Sequence, residues 1–382
     1  MTSTAHRTVC VTGMSWDTAL GDGLDTVWRR LLDGDTGMVP LSTEDHPGLR
    51  ARLAARLARP VAPGAESDRH TAVAVRTAAR ALEDAALGPD EPDPLLVLAT
   101  SLGPHADLPQ ETSLHRWAED TGKGLGLAGA PLSLSTACSS GADAVATAAA
   151  LVRSGKAARC LVGGVDLLTE AKLQGHSALS TLSPTVLRAF DEERDGTLLG
   201  EGAAFLVLEP LSAALTRGAR VHGLVRGWGS SNDAVGLSSP DVTGSTAEKA
   251  ITRALALAGA APGQVGAVNA HATGTLQNDE AEANCLRRVF GEGPDEPVAF
   301  ATKGAFGHTL GATGIIEAVV TLLALRDGVV PPVANLRTPM SGFPLPLSLG
   351  GPRDVVRPLG LSLTLGFGGF NTCLAFEGTS SL

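Results

Sequence analysis

The residues able to do covalent chemistry fall in three short stretches. In Ser135-Thr136-Ala137-Cys138-Ser139-Ser140-Gly141, one cysteine stands where a short apolar run gives way to an alanine-rich helical pattern. A cysteine at a helix start lies near unpaired N–H groups and the positive end of the helix dipole, and both favour the nucleophilic thiolate. The other reading is a buried, inert cysteine, the commoner fate of this residue. In Asn269-Ala270-His271-Ala272-Thr273-Gly274-Thr275, an apolar strand pattern delivers His271 into small polar residues. Strand ends of α/β proteins are where ligands bind, although a lone histidine there also suits a satisfied structural role. The third stretch runs from Lys303 to Gly314 (KGAFGHTLGATG) and brings Lys303 and His308 into a glycine-rich turn before a helix. Such turns can cradle phosphate, but the GxxxxGK[ST] pattern is missing, and a structural turn fits as well. A further loop, Leu365-Gly366-Phe367-Gly368-Gly369-Phe370-Asn371, sets three glycines around Phe367 and also reads as a hairpin turn.

Hydrophobic periodicity gives the elements that must position these residues. Strands are expected at 7–12, 95–100, 132–135, 160–163, 221–227, 265–270, 298–302, 361–365 and 372–376. Helices are expected at 17–32, 71–86, 141–153, 247–257, 280–289 and 314–325. The segment 40–67 reads as an arginine-rich loop with a short helix, its Arg50, Arg52, Arg56 and Arg59 solvated. Strands alternating with helices imply largely parallel sheets covered by helices, an α/β protein. Both halves contain a buried strand, a glycine-containing turn and a long apolar helix, around Cys138 and around Gly311. An internal duplication follows, with residues 1–220 carrying the cysteine and 221–382 the two histidines.

Composition narrows the function. Hydrophobic residues make up 43% and charged residues 18% of the 382, which excludes a disordered chain. The 46 glycines suggest backbone packed against backbone. A net charge of −10 argues against nucleic acid or an anionic membrane as main partner. The five cysteines lack CxxC spacing, which argues against a metal site and for a reducing compartment. Without a secretory h-region or an apolar run of spanning length, a soluble cytoplasmic protein is expected.

Taken in order, STACSSG, NAHATGT, KGAFGHTLGATG and GFGGFN resemble the β-ketoacyl synthases, the condensing enzymes of fatty acid and polyketide synthesis. The stretches from Arg188 to Gly196, Leu199 to Ala203, Val162 to Asp166 and Leu323 to Pro332 are similar to that family too. The resemblance implies a thiolase-like fold, a duplicated five-layer α-β-α-β-α arrangement. It implies that Cys138 takes an acyl group from the phosphopantetheine of an acyl carrier protein, with no further cofactor. His271 and His308 would stabilise the enolate of a malonyl unit that loses CO2. Lys303 and Glu317 would support them. The N–H groups of Cys138 and Phe367 would form an oxyanion hole, with Phe367 also the mobile gate. A homodimer, or a heterodimer with a related subunit, is implied.

The sequence departs from the family at several points. The region from Ser101 to Ala130 is short and lacks the usual helical segment before the nucleophile strand. Gly304 stands where serine is usual, Leu365 replaces an aromatic and Phe370 a small threonine. An unusual acyl substrate in polyketide or specialised fatty-acid metabolism is expected. Two other functions stay open. An acyltransferase on this fold would pass the Cys138-bound acyl group to an oxygen, nitrogen or sulfur nucleophile. A chain-length-factor-like partner subunit would be non-catalytic, which the presence of Cys138 argues against.

Overall fold

The computed structural model describes residues 8–42, 44, 46, 48–61, 66–88, 91–103, 113–292 and 296–379. The first part of the chain runs β1 (Val9–Asp17), α1 (Leu24–Leu32), β2 (Met38–Pro40), β3 (Leu53–Ala55), α2 (Glu66–Ala85), β4 (Leu95–Ala99) and α3 (Leu114–Gly124). It continues with β5 (Leu132–Leu134), α4 (Ser140–Arg153), β6 (Cys160–Asp166), α5 (Glu170–Ala178), β7 (Gly202–Pro210) and α6 (Leu211–Thr216). The second part runs β8 (Gly223–Asn232), α7 (Ser245–Ala258), β9 (Val265–Asn269), α8 (Leu276–Phe290), β10 (Val298–Phe300) and α9 (Lys303–Phe306). It closes with α10 (Thr313–Asp327), β11 (Val329–Val330), β12 (Arg353–Asp354), β13 (Leu359–Gly366) and β14 (Phe370–Glu377).

Ten strands line up as β10-β9-β13-β14-β8-β1-β7-β6-β4-β5. This is one pattern used twice, β5-β4-β6-β7-β1 and β10-β9-β13-β14-β8. The strand senses repeat as well: three parallel neighbours, then two antiparallel steps. Among the described residues the two sets of strands join through a short antiparallel pairing of β1 with β8, from Val9↔Val225 to Val11↔Gly223. Helices α4 and α10 lie between the sets and touch strands of both, α2 and α3 cover the outer face of the first, and α7, flanked by α8, covers the second. These are the five layers of a duplicated thiolase-like fold.

The central layer is legible in the residues. In α10 every side chain from Thr313 to Leu325 is buried, as a helix apolar all round requires. Helix α4 buries nine residues, five of them alanines, so its backbone comes close to its neighbours. The closest approach is to α10. A Cβ on Gly141 would lie 2.8 Å from the Gly311 carbonyl, and one on Gly314 would lie 2.6 Å from the Ala142 nitrogen.

Several expectations need correction. Strand β1 runs on to Asp17, a Thr18–Gly21 bridge follows, and the helix begins only at Leu24. The described part of 40–67 contains no helix until Glu66; the short β2–β3 hairpin is there instead, with Arg52 and Arg56 exposed on either side of buried Ala54 and Ala55. The helical segment thought missing before the nucleophile strand is present as α3. Ser113 Oγ caps it by accepting from the Arg116 N–H at 3.0 Å, and Trp117, Ala118, Thr121 and Gly122 are buried at helical spacing. The rest of that region, 104–112, lies outside the described residues. Strand β7 and helices α5 and α6 were not anticipated.

The contact between α4 and α10 gives a direct test. Gly314→Ala puts a methyl into backbone and should cost about 1–3 kcal/mol in urea unfolding, as overpacked cores do. Gly175→Ala, at a helical position with no atom within 4 Å, should be neutral or stabilising by up to about 1 kcal/mol.

Candidate active site

Cys138 sits on a tight elbow between β5 and α4. Ala137 adopts φ +53°, a left-handed value that turns the chain sharply. The elbow is tied by its own hydroxyls. Ser140 Oγ accepts from the Thr136 N–H at 2.8 Å and donates to the Ala137 carbonyl at 2.6 Å. Asp143 Oδ2 accepts from Thr136 Oγ1 at 2.6 Å and Ser139 Oγ at 2.9 Å, while Oδ1 accepts from Thr372 Oγ1 on β14 at 2.6 Å.

The three reactive side chains converge here. His308 Nε2 lies 3.1 Å from Cys138 Sγ, and His308 Nδ1 lies 3.0 Å from Thr313 Oγ1 at the start of α10. The His271 ring meets that of His308 edge-on, with centroids 5.3 Å apart. Ligand atoms of Cys138, His271 and His308 all lie within 4.8 Å of one another. That spacing would admit a soft metal ion, yet the direct sulfur–nitrogen contact already satisfies the pair. His271 follows β9, where Glu282 on α8 accepts from the N–H groups of His271 at 2.5 Å and Ala272 at 2.6 Å. The His308 loop is braced by Leu198–Gly200: the His308 N–H donates to the Leu198 carbonyl at 2.7 Å and the Gly200 N–H to the His308 carbonyl at 3.0 Å. A Cβ on Gly200 would lie 2.2 Å from the Phe306 carbonyl, so the glycine there is a packing requirement.

Lys303 and Glu317 form a buried ion pair at 2.6 Å beneath the histidines. Gly304 beside it has no room for a side chain, since a Cβ would lie 2.7 Å from the Ala334 carbonyl. A second buried pair, Lys172 with Asp166 at 2.7 Å, was missed in the sequence. Asp166 also accepts from the backbone N–H groups of Ser101 and Gly311, both at 2.7 Å. It thereby ties the ends of β4 and β6 to the histidine loop.

Cys138, His271, His308 and Phe367 line one cavity of about 590 Å³. Leu365 lines it, but Phe370 is 37% exposed and does not. Phe367 stands in the β13–β14 turn, as the hairpin reading of that loop expects. Gly368 and Gly369 hold φ +78° and +79°, and a Cβ on Gly369 would collide with Asp233 at 2.1 Å. His176, Arg50 and Arg194 also line the cavity. None was singled out in the sequence as a site residue, because α5 carries no apolar stripe and Arg50 lies in the segment of weakest pattern.

Burial sets the charge states. The Cys138 thiol is pushed up to about 11 by desolvation; the N–H groups of Phe367 and Cys138 itself and the Lys303 charge hold it back, while Asp166 adds to the rise. The thiolate expected from the helix start is therefore not the resting form. Burial outweighs the helix start, and the Ser139 and Ser140 N–H groups are spent on the Thr136 and Ala137 carbonyls. Burial, then Lys303, then a neighbouring histidine hold both His271 and His308 well below the usual imidazole range. The site rests as neutral thiol beside neutral imidazole. Alkylation of Cys138 by iodoacetamide should then keep rising above pH 9, followed by peptide mass spectrometry. A plateau reached below pH 8 would show a thiolate instead.

Comparison with known proteins agrees with this geometry. A family model described as the β-ketoacyl synthase N-terminal domain matches residues 118–214, and one described as the C-terminal domain matches 222–337. The mitochondrial 3-oxoacyl-[acyl-carrier-protein] synthase of Arabidopsis thaliana is 32% identical, over 97% of this chain and 93% of that protein. Nodulation protein E of Rhizobium leguminosarum bv. trifolii is 32% identical, over 97% of this chain and 99% of that one. Among solved structures, the ishigamide ketosynthase/chain length factor superposes with a TM-score of 0.90 at 28% identity, covering 98% of this chain and 100% of that one. With an identity above 30% sustained along almost the whole length, the chain belongs to the β-ketoacyl synthase family.

Proposed function

We propose that this condensing enzyme joins an acyl group held on Cys138 to a malonyl unit, both delivered on acyl carrier protein. The observation that carries the reading is the 3.1 Å contact of Cys138 Sγ with His308 Nε2, next to the His271 ring, in one cavity. In the first step the sulfur attacks the acyl thioester while His308 Nε2 takes the thiol proton, which then goes to the departing pantetheine sulfur. The N–H groups of Cys138 and Phe367 receive the oxyanion, the position where fixed donors contribute most. In the second step the malonyl C–CO2 bond breaks and CO2 leaves. The negative charge moves onto the thioester oxygen, where the His271 ring stabilises it. His271 Nδ1 is buried with no partner among the described residues, so a proton there would be stranded. The neutral ring carries its proton on Nε2 and can donate it to that oxygen. The enolate carbon then attacks the acyl–Cys138 carbonyl and expels the sulfur as thiolate, which takes up one proton from solvent to return to the resting thiol. Burial keeps both histidines neutral, and the charge of Lys303, paired with Glu317, adds to that effect. No metal or organic cofactor takes part in these steps.

The carrier protein as partner is supported by the name of the Arabidopsis relative and by Arg50 at the cavity, which suits the phosphodiester of the phosphopantetheine arm. A dimer, with a second copy or a related subunit, is supported by β5, an edge strand whose Leu132 is 41% exposed. We place the division between the halves at 220/221, between α6 and β8; the family-model limits of 214 and 222 support it. A cytoplasmic setting is in keeping with five free cysteines. No helix among the described residues is long and apolar enough to cross a membrane. Specialised fatty-acid or polyketide metabolism is the proposed setting, because Leu365 alters the cavity wall.

The test is to incubate the protein with acyl carrier protein loaded with candidate acyl groups and weigh it intact. An adduct on Cys138, then CO2 release and a product two carbons longer on adding malonyl carrier protein, is expected. Cys138→Ala should abolish extension. An adduct passed to another nucleophile without extension would favour the acyltransferase, and no adduct from any donor would overturn both enzymatic readings.

A further inference from the structure

His176 faces Phe367 across the cavity. The two rings stack at 5.6 Å between centroids with planes 23° apart, and this is the only ring contact Phe367 makes among the described residues. Both residues line the cavity that holds Cys138. The two elements that meet here are held differently on their far sides. The glycine loop is fixed through its backbone: the Gly368 N–H donates to the Leu237 carbonyl at 2.7 Å, and Asn232 Nδ2 donates to the Gly368 carbonyl at 2.8 Å. Those bonds hold the main chain and leave the Phe367 side chain to its neighbours. Helix α5 buries only Lys172 and Leu173, both in its first half, while His176 lies in its last turn. That turn is closed by Thr181, whose Oγ1 lies 3.0 Å from His176 Nδ1 and whose N–H donates to the His176 carbonyl at 3.2 Å. The imidazole is thus fixed in place, while the ring it touches sits on a loop with two left-handed glycines.

We propose that His176 is a positioning residue, a latch whose ring holds Phe367 over Cys138 and must be released before a bulky acyl group can enter. The inference rests on the acyl-transfer reading of Cys138 given above. With Phe367 in place its N–H is directed at the sulfur, so the latched state is the one that receives a small acyl group or an oxyanion. A larger acyl chain needs the aromatic ring moved, and the stack opposes that movement. Burial holds His176 down to about 4, so the ring is neutral near pH 7 and stacks without carrying charge.

The latch predicts a size-dependent effect. Acetyl and octanoyl thioesters of N-acetylcysteamine are mixed with the full-length protein, and the mass of the Cys138 adduct is followed with time. His176→Ala should load octanoyl roughly two- to tenfold faster, the range one aromatic contact carries, with acetyl loading changed less than twofold. Octanoyl once loaded should also hydrolyse faster. His176→Phe keeps a ring to stack on and should restore parental behaviour, whereas His176→Asn, polar but ringless, should behave like alanine. Equal octanoyl loading by parent and His176→Ala would overturn the latch, as would a uniform slowing of both thioesters by every variant, the mark of a merely structural role. A parent chain that takes no acyl group from any donor would overturn the ketosynthase reading itself, a separate result.

Discussion

The site depends on how closely two internal helices approach. Cys138 stands at the start of α4 and His308 just before α10, so the distance between sulfur and imidazole is set by the meeting of those two helix ends. Gly141 against the Gly311 carbonyl, and Gly314 against Ala142, leave no space for a single methyl group. Packed interiors transmit such changes because they contain few voids to absorb them. The duplication supplies the two helices: each five-stranded set contributes one, and the central layer is where they meet. Nucleophile and histidine therefore come from opposite halves of the chain, and neither half holds a complete site.

A second constraint follows from the first. Loops that deliver side chains into a closed cavity are irregular backbone, and their N–H groups have no ladder partner. Buried polar groups must be paired, and here buried carboxylates do it. Glu282 takes the N–H groups of His271 and Ala272. Asp166 takes those of Ser101 and Gly311, and Asp279 those of Phe190 and Gly274. Glu282 is raised to about 8 and Asp279 to about 6, burial being the main cause for each. Their role is to hold backbone, which explains why the Phe190 stretch carries family-like sequence without contributing a reactive group; the Leu199 stretch braces the His308 loop through its own main chain.

Much of this was legible in the residues, for reasons that can be named. The Cys138, His271 and His308 stretches announce themselves because strand, glycine turn and helix follow one another within a few residues. Helix α10 reads clearly because it is apolar on every side. Helix α3 is harder to read although Ser113 carries its cap, because only four of its residues, Trp117, Ala118, Thr121 and Gly122, are buried. The role of Asp166 could not be read from sequence, since its backbone partners at Ser101 and Gly311 are distant in the chain. His176 sits on a helix with almost no apolar face, and its one informative contact is with a ring nearly two hundred residues away. The state of the thiol was misread for a similar reason. Spacing shows a cysteine at a helix start, but not that its N–H neighbours are spent on the elbow.

That resting neutrality suits the chemistry. In a dry site an ion pair of thiolate and imidazolium must be stabilised at all times, and desolvation makes this costly. A neutral pair needs no such support. Burial raises the thiol and lowers the imidazoles, so the same physical cause favours the uncharged form of both partners. On the proposed mechanism, charge then appears only when a carbonyl carbon arrives to accept the sulfur's electrons, next to the N–H groups of Cys138 and Phe367. Lys303 fits this scheme. Paired with Glu317, it disfavours a proton on either histidine, while its remaining field favours negative charge on sulfur or enolate. On the proposed mechanism, a site tuned in this way stays uncharged until an acyl thioester occupies the cavity.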